Sequence, residues 1–143
     1  VVTPLEDQRR IIKHLVAHWT EGYGAQYNPK RREALELIVL EATFEAAKAR
    51  ITQSEGAVPR VVTTSAKAGP ETVTFSDLKQ GLAGGRPHLL VLGTAWGLAS
   101  QIMDGADARL EPLAGPACYN HLSVRAAAAI IVDRLMAGSN KMG

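Results

Sequence analysis

The sequence contains few of the residues that build disulfides and metal sites. Cys118 is its single cysteine, which excludes an intrachain disulfide and a cysteine-ligated zinc site. The 4 histidines are scattered along the chain and form no metal-binding set. A lone thiol fits a reducing compartment, so we expect a cytoplasmic protein without a bound metal.

Long apolar runs and the common nucleotide-binding signatures are also missing. No apolar stretch approaches the ~20 residues that cross a bilayer, and no signal peptide is visible at the first residues. The glycines of residues 93–97 lack the spacing of a dinucleotide fingerprint, and no Walker lysine motif is present. There is no internal repeat and no low-complexity linker. A membrane-spanning protein is therefore not expected.

The residues that are present predict one α/β domain covering 1–143. The 143 residues can bury a substantial core, and 46% of them are hydrophobic. The formal net charge of +2 permits an anionic partner without requiring one. Apolar strand-like runs alternate with helical patterns, which predicts a mostly parallel sheet with helices on both faces.

The individual elements follow from the apolar spacing. Strands are expected at residues 1–3, 35–40, 60–66, 88–92 and 108–110. Helices are expected at residues 4–18, 43–53, 74–84, 98–103 and 122–137. Residues 22–29 are predicted to form a loop because they are rich in glycine and end in Asn28-Pro29.

The last of these helices is apolar nearly all round. Either Asn120 or Ser123 can cap its N-terminus, and Gly138 is a suitable stop. Such a helix is expected to be buried on more than one side, because one sheet face covers only part of its surface. We therefore expect a homodimer built on residues 122–137, with complete coverage inside one chain as the alternative.

Three loops with small or polar residues leave the predicted strand ends, at residues 63–66, 93–97 and 113–122. Ligands of a parallel sheet bind beyond the carboxyl ends of its strands. If the three loops converge, their backbone groups form a pocket for an adenosine-like ligand. Ordinary tight turns are the alternative, and the residues alone do not decide between the two.

Several motifs resemble a bacterial family of SAM-dependent RNA methyltransferases of the α/β-knot (SPOUT) class. They are Leu92-Gly-Thr-Ala-Trp-Gly-Leu98, Leu110-Glu-Pro-Leu-Ala-Gly115 and Tyr119-Asn-His-Leu-Ser-Val-Arg125. Upstream matches are Val2-Thr-Pro-Leu5, His18-Trp-Thr-Glu-Gly-Tyr-Gly24, Tyr27-Asn-Pro-Lys30 and Thr64-Ser-Ala66, so the resemblance covers essentially the whole chain. It implies a deep C-terminal trefoil knot, S-adenosyl-L-methionine as methyl donor, an RNA substrate (tRNA or rRNA) and a homodimer.

The resemblance also implies where the donor and the chemistry lie. Candidate catalytic residues are Arg125, His121 and Asn120. Donor-binding residues are expected in three loops: Thr64, Ser65 and Ala66 in the first, Gly93, Thr94, Trp96 and Gly97 in the second, and Leu113, Gly115, Asn120, Leu122 and Ser123 in the third.

Each of these residues also has a purely structural interpretation. In this interpretation Gly93 and Gly97 are needed only for tight turns, and Ser123 only as a helix cap. Trp96 is expected to pack in the core or in an interface rather than on a ligand. His121 has a structural role as its alternative, and Arg125 has an ion pair with Glu111.

Two departures from the family pattern bear on activity. The pattern begins with a strand and a helix ahead of Val1, so the sheet is expected to lack one strand. It also carries Gly-Asp where this chain has Ala117-Cys118. A nucleotide- or RNA-binding module without transfer activity is therefore the alternative function.

One further stretch, the cations Lys30-Arg31-Arg32 beside Tyr23 and Tyr27, mixes charge with aromatic rings as an RNA surface does. A solvated helix start is the interpretation that the sequence favours there.

Overall fold

A computed structural model describes residues 1–69, 71–94, 96–115 and 122–137. The chain divides into two compact units, the first covering Val1–Ser54 and the second beginning at Glu55. Within the described ranges, no helix combines the length and the apolar character that crossing a membrane requires.

The first unit is helical. Its helices are α1 (Glu6–Thr20), α2 (Gly22–Tyr27), α3 (Pro29–Glu36) and α4 (Phe44–Glu55). The loop predicted at residues 22–29 is wrong, because these residues form α2 and open α3. Asn28 caps α3 by accepting from the Arg31 amide, and Pro29 occupies a first-turn position that needs no N–H donor.

Glycine also explains how α2 lies against α1. A Cβ on Gly24 would stand 2.1 Å from the backbone oxygen of His18. Only a residue without a side chain permits this approach, and Gly24 is buried. The glycines that indicated a loop by composition therefore serve helix packing.

The two strands predicted in the first unit do not form as strands. Helix α3 runs to Glu36, and the residues after it carry a single parallel bridge, between Val2 and Glu41. The Thr3 amide donates to the Glu41 carbonyl and the Glu41 amide to the Val1 carbonyl, both at 3.0 Å. An extended segment needs a longer ladder of such bonds to count as a strand.

The second unit contains a four-stranded, all-parallel sheet. Strands β1 (Arg60–Thr63), β2 (Thr72–Val73), β3 (His88–Val91) and β4 (Ala108–Leu110) lie in the order β2-β4-β1-β3. The prediction of a parallel sheet is confirmed, with strands at three of the predicted places. Strand β2 was not predicted, since two residues carry no readable periodicity.

Three helices accompany this sheet: α5 (Phe75–Leu82), α6 (Ser100–Asp104) and α7 (Val124–Met136). A core of buried apolar side chains joins α5 and α7 to β1 and β4; its members are Val62, Leu78, Leu110, Ile131 and Leu135. Burial of such side chains is the main stabilising contribution to this unit.

Ser123, one of the two candidate caps, begins α7 by accepting a hydrogen bond from the Ala126 amide at 3.2 Å. Asn120 and Gly138 lie outside the described residues. Among the described residues, α7 buries Ile131 and Leu135, whereas Val132 and Met136 are 52% and 57% exposed. The connection that would form the predicted knot passes through residues 116–121, also outside the described ranges.

Candidate functional site

The loops after β1, β3 and β4 converge on one cavity of ≈ 500 Å³ in the second unit. The parallel register causes this convergence. Thr63 pairs with Val91 and with Arg109, so the three strands end at one edge of the sheet. The predicted donor residues that line the cavity are Thr64, Ser65, Ala66, Gly93, Trp96, Gly97, Leu113 and Leu122.

The first loop is fastened to β3 as it leaves the sheet. The Thr64 amide and hydroxyl both donate to the carbonyl of Val91, each at 3.1 Å. Ser65 accepts from the Lys67 amide at 3.1 Å, which turns the chain. These bonds hold the loop beside the start of the second loop.

The second loop is a tight turn that also forms a wall of the cavity. The Gly97 amide donates to the Thr94 carbonyl at 3.0 Å, and Gly97 has a φ of 91°. A Cβ on Gly93 would stand 2.5 Å from the carbonyl carbon of Gly97. Gly93 and Gly97 therefore form a tight turn and also line the cavity, while their role in ligand binding stays a prediction.

Trp96 is fully exposed to solvent at this turn, with a relative exposure of 102%. The part of the expectation that placed Trp96 in the core is wrong, because its side chain is exposed, whereas packing in an interface stays a prediction. Its side chain lines the cavity, and within one chain it is free to contact a ligand or a second subunit.

Four predicted site residues lie outside the lining. Thr94 is the exposed first residue of the turn. A Cβ built on Gly115 would meet no described atom within 4 Å, so this glycine faces open space. Ser123 caps α7, which agrees with its structural interpretation. Arg125 is exposed on the first turn of that helix. Asn120 and His121 fall outside the described residues.

The ion pair considered for Arg125 does not form. Among the described residues, the guanidinium of Arg125 makes no salt bridge. The Glu111 carboxylate instead accepts from the Phe75 amide at 2.7 Å, at the start of α5. Within the described ranges no carboxylate therefore neutralises the Arg125 guanidinium.

The cavity also contains residues that the sequence analysis missed. Glu111 follows β4 directly, and Lys67 ends the first loop, so their places after strands were a usable signal. The others are apolar and read as core from their spacing: Leu92, Leu98, Met103, Ala127 and Ile131. The lining thus combines apolar walls with one carboxylate and one ammonium group.

This composition fits a nucleoside with a charged tail. The volume lies within the roughly 300–1,000 Å³ of small-molecule sites, and such sites pair apolar walls with a few polar groups. A carboxylate such as Glu111 suits hydroxyl or ammonium groups, whereas Lys67 suits a carboxylate. Within the described ranges, no cluster of His, Cys, Asp or Glu is suited to hold a metal ion.

Comparison with known proteins agrees with this geometry. A family model described as SAM-dependent RNA methyltransferase matches residues 1–137. A Nitratidesulfovibrio vulgaris protein named tRNA (guanine-N(1)-)-methyltransferase is 51% identical over 136 residues, which are 95% of this chain and 32% of that protein. A protein of the same name from Oleidesulfovibrio alaskensis is 44% identical, with the same coverage of both chains.

A third relative is more similar in length. It is an Aquifex aeolicus protein named only "Uncharacterized protein", 37% identical over 136 residues that make up 94% of this chain and 66% of its own. The chain therefore spans about a third of the length of the two named relatives. Most of each named relative lies outside the matched region.

Proposed function

The chain belongs to the SAM-dependent RNA methyltransferase family, and on that premise we propose that its cavity binds S-adenosyl-L-methionine for methyl transfer to RNA. The observation that carries the proposal is the convergence of three strand-end loops on one cavity of ≈ 500 Å³. These are the loops for which the family motifs imply donor contacts. We propose that both units act together as one methyltransferase domain, since the family match spans residues 1–137.

The proposed division of roles follows the lining. Backbone groups of the second and third loops, with Leu98, Leu113 and Leu122, would hold the adenine ring. Glu111 would accept from the donor's hydroxyl or ammonium groups, and Lys67 would face its carboxylate. When bound, S-adenosyl-L-methionine supplies an electrophilic methyl group. Holding it against the acceptor atom is the main task of the chain, because in-line transfer depends on position and orientation.

The RNA we propose as substrate is tRNA, and the site of action is then the cytoplasm. Two relatives are named for tRNA, but this chain matches only about a third of each. The names of these relatives specify guanine N1 as the acceptor atom, but they describe proteins about three times as long as the matched region. The acceptor atom used by this chain therefore has to be identified by experiment. A protonated acceptor requires a base, and Asn120 and His121 remain the proposed residues around it.

Arg125 is proposed to contact the RNA phosphate or the reacting groups. Its guanidinium is exposed and makes no salt bridge within the described residues. Arg125→Ala should cut methyl transfer strongly and leave donor binding mostly intact. Arg10→Ala, at another exposed arginine, is the matched control. Normal transfer by Arg125→Ala would make Arg125 a structural residue.

Two measurements test the function. Calorimetric titration with S-adenosyl-L-methionine tests donor binding, and labelled donor incubated with separate tRNA and rRNA pools tests transfer. Mass spectrometry of the digested RNA then identifies the methylated nucleoside. Donor binding without transfer to either pool would indicate the non-catalytic module, and absence of donor binding would overturn the proposal.

We also propose the deep trefoil knot and a homodimer built on α7. One face of α7 carries Ala129, Val132 and Met136, spaced three and four residues apart and all exposed. This spacing forms an apolar seam that a second copy of α7 would cover. A two-fold interface would bring the surfaces of two subunits together beside the cavity that Ala127 and Ile131 line.

Val132→Glu tests the dimer at the middle of this seam. Two facing carboxylates at low dielectric would repel each other, so the variant should be monomeric by light scattering at micromolar concentration. Ala128→Glu lies at a half-buried boundary position and should weaken the dimer less. A monomeric mass for the parent protein would contradict the dimer.

A further inference from the structure

The first unit carries two tyrosines that the proposed donor site does not use. Tyr23 and Tyr27 are four residues apart on α2, so they share a face of that helix. They are 78% and 71% exposed, and their rings stack with centroids 6.0 Å apart and an interplanar angle of 24°. Large aromatic rings side by side in solvent are typical of a surface that a partner covers.

Three consecutive cations follow on α3, directly after the tyrosines. Lys30 pairs with Glu33 at 2.9 Å and Arg32 with Glu36 at 2.7 Å. The side chains of these two cations are 86% and 51% exposed. Exposed pairs of this kind contribute little and are screened by salt, so a phosphate group can replace the carboxylate partner.

The third cation is held differently. The guanidinium of Arg31 lies 4.3 Å from the centroid of the Trp19 ring on α1, a cation–π contact. It forms no salt bridge with a carboxylate among the described residues. Its charge is therefore held against the Trp19 ring, and no carboxylate in the described ranges neutralises it.

We propose that these five residues, Tyr23, Tyr27, Lys30, Arg31 and Arg32, form a docking surface for an unpaired segment of the RNA substrate. We call it the tyrosine–cation surface. Bases would stack on the tyrosine rings, and backbone phosphates would contact the three cations. The inference rests on the proposed function, since it assigns to that function a binding surface for its RNA.

An unpaired RNA strand fits this surface better than other partners do. The base faces of a duplex are covered by their neighbours, so two exposed rings offer it nothing to stack on. A partner helix would require an extended apolar stripe, whereas here three cations follow the aromatic pair in the sequence. Over residues 22–36 there are three cations and two carboxylates, which favours an anion.

Fluorescence anisotropy tests the inference with a labelled, unpaired RNA of about 12 nucleotides, a length typical of single-strand sites. The full chain should bind this RNA more tightly than its duplex with the complementary strand. The double variant Tyr23→Ala/Tyr27→Ala should bind it ~10-fold or more weakly, since stacking on both rings is lost. The double variant with phenylalanine keeps the rings and should bind as the parent does.

The contribution of the cations is tested separately, by the salt dependence of RNA binding. Lys30→Gln and Arg32→Gln should each lower the slope of log affinity against log salt by about 0.7, the value for one phosphate contact on a single strand. Arg10→Gln removes an arginine whose pair with Asp7 is equally exposed and should leave the slope unchanged. Leu37→Ala, at an exposed apolar residue of the same unit, is the matched control for the tyrosines.

The outcomes separate this inference from the proposed function. If the alanine double variant binds RNA as the parent does, or if the parent prefers the duplex or binds neither RNA, the surface is not an RNA site. Loss of a dimer in that variant by light scattering would show instead that the tyrosines bind a second copy. Donor binding is measured on the same variants, and it should be unchanged whether or not the surface binds RNA.

Discussion

The two units of this chain bury very different amounts of the apolar side chains on their helices. In the second unit Val62, Leu78 and Leu110 are at most 2% exposed and form a core with α7. In the first unit, every residue of which is described, only Thr3 and Gly24 are buried. Ile11 and Leu15 on α1 remain 65% and 56% exposed.

The difference lies in the layer against which the helices pack. In the second unit a parallel sheet supplies a flat apolar surface, and α5 and α7 share one core with it. The helices of the first unit pack on one another, with one isolated strand-like bridge at Val2 and Glu41. An amphipathic pattern therefore predicts a helix, whereas burial depends on the partner surface.

The largest expected contrast is in stability. Leu110→Ala removes a side chain that is 1% exposed and should lower the free energy of unfolding by about 2–5 kcal/mol. Leu37→Ala removes one that is 81% exposed and should change it by less than about 0.5 kcal/mol. Urea denaturation followed by circular dichroism measures both. Equal effects would show that the first unit has a core that the comparison misses.

A second contrast concerns the glycines of the second unit. Gly93→Ala places a Cβ 2.5 Å from the Gly97 backbone, so the turn must shift and donor affinity should fall roughly 10- to 100-fold. Gly93→Val should do the same more strongly, because the turn is displaced as well as the ligand. Gly81 lies inside α5, and the Cβ of Gly81→Ala would stand 3.4 Å from its nearest neighbour, Nε2 of His88. This substitution should leave donor affinity unchanged. Calorimetric titration measures the donor affinity of each variant. Normal affinity for Gly93→Ala would show that this turn is not part of the donor site.

A third contrast uses the two tryptophans, one in each unit. Trp96 lines the cavity and is fully exposed, whereas Trp19 lies under the Arg31 guanidinium in the first unit. A fluorescence change on adding S-adenosyl-L-methionine should persist in Trp19→Phe and be lost in Trp96→Phe. A response that depends on Trp19 would place the donor's effect in the wrong unit for the proposed site.

The smallest expected contrast lies in the helix caps. Thr74 and Asp77 form a capping box at α5, and the hydrogen bonds from the Thr74 hydroxyl and amide lower the pKa of Asp77. Because the folded pKa is lowered, this stabilisation is present above the ordinary aspartate value of about 3.9 and is lost as the pH falls through the folded pKa. Asp77→Asn should therefore lower Tm slightly at neutral pH and have no such effect in strong acid.

The control for this cap is in the other unit. The N-cap residue of α1, Leu5, offers no side-chain cap, and Asp7 on the first turn makes an exposed ion pair with Arg10. Asp7→Asn should change Tm less than Asp77→Asn does when both are measured at neutral pH. A larger effect of Asp7→Asn would contradict the capping argument.

Much of the second unit was predictable because its signals are local. The apolar runs that became β1, β3 and β4 stand out against their neighbours, and Ser123 sits where a cap belongs. The first unit was predicted less well. Its glycines indicated a loop at residues 22–29. Gly24 instead allows α2 to approach the His18 carbonyl on α1.

The candidate site shows the same division. Eight of the residues that the family resemblance implied as donor contacts line the cavity. Glu111 and Lys67 were missed as lining residues, and Trp96 was expected to be packed. The direction of a side chain at a turn, and the set of side chains that line a cavity, depend on contacts between distant segments. The spacing of residues in the sequence does not report such contacts.

The sequence by itself determined the family, the class of fold, the parallel strands and the loops that carry the candidate site. These features follow from periodicity, glycine placement and motifs, each contained within a few neighbouring residues. Only the tertiary structure decided the strand order, the convergence of the loops on one cavity, and the hydrogen bond from the Phe75 amide to the Glu111 carboxylate. The physical reason is that strand register and helix packing join residues far apart in the chain, and the free energy of those contacts depends on all the partners together.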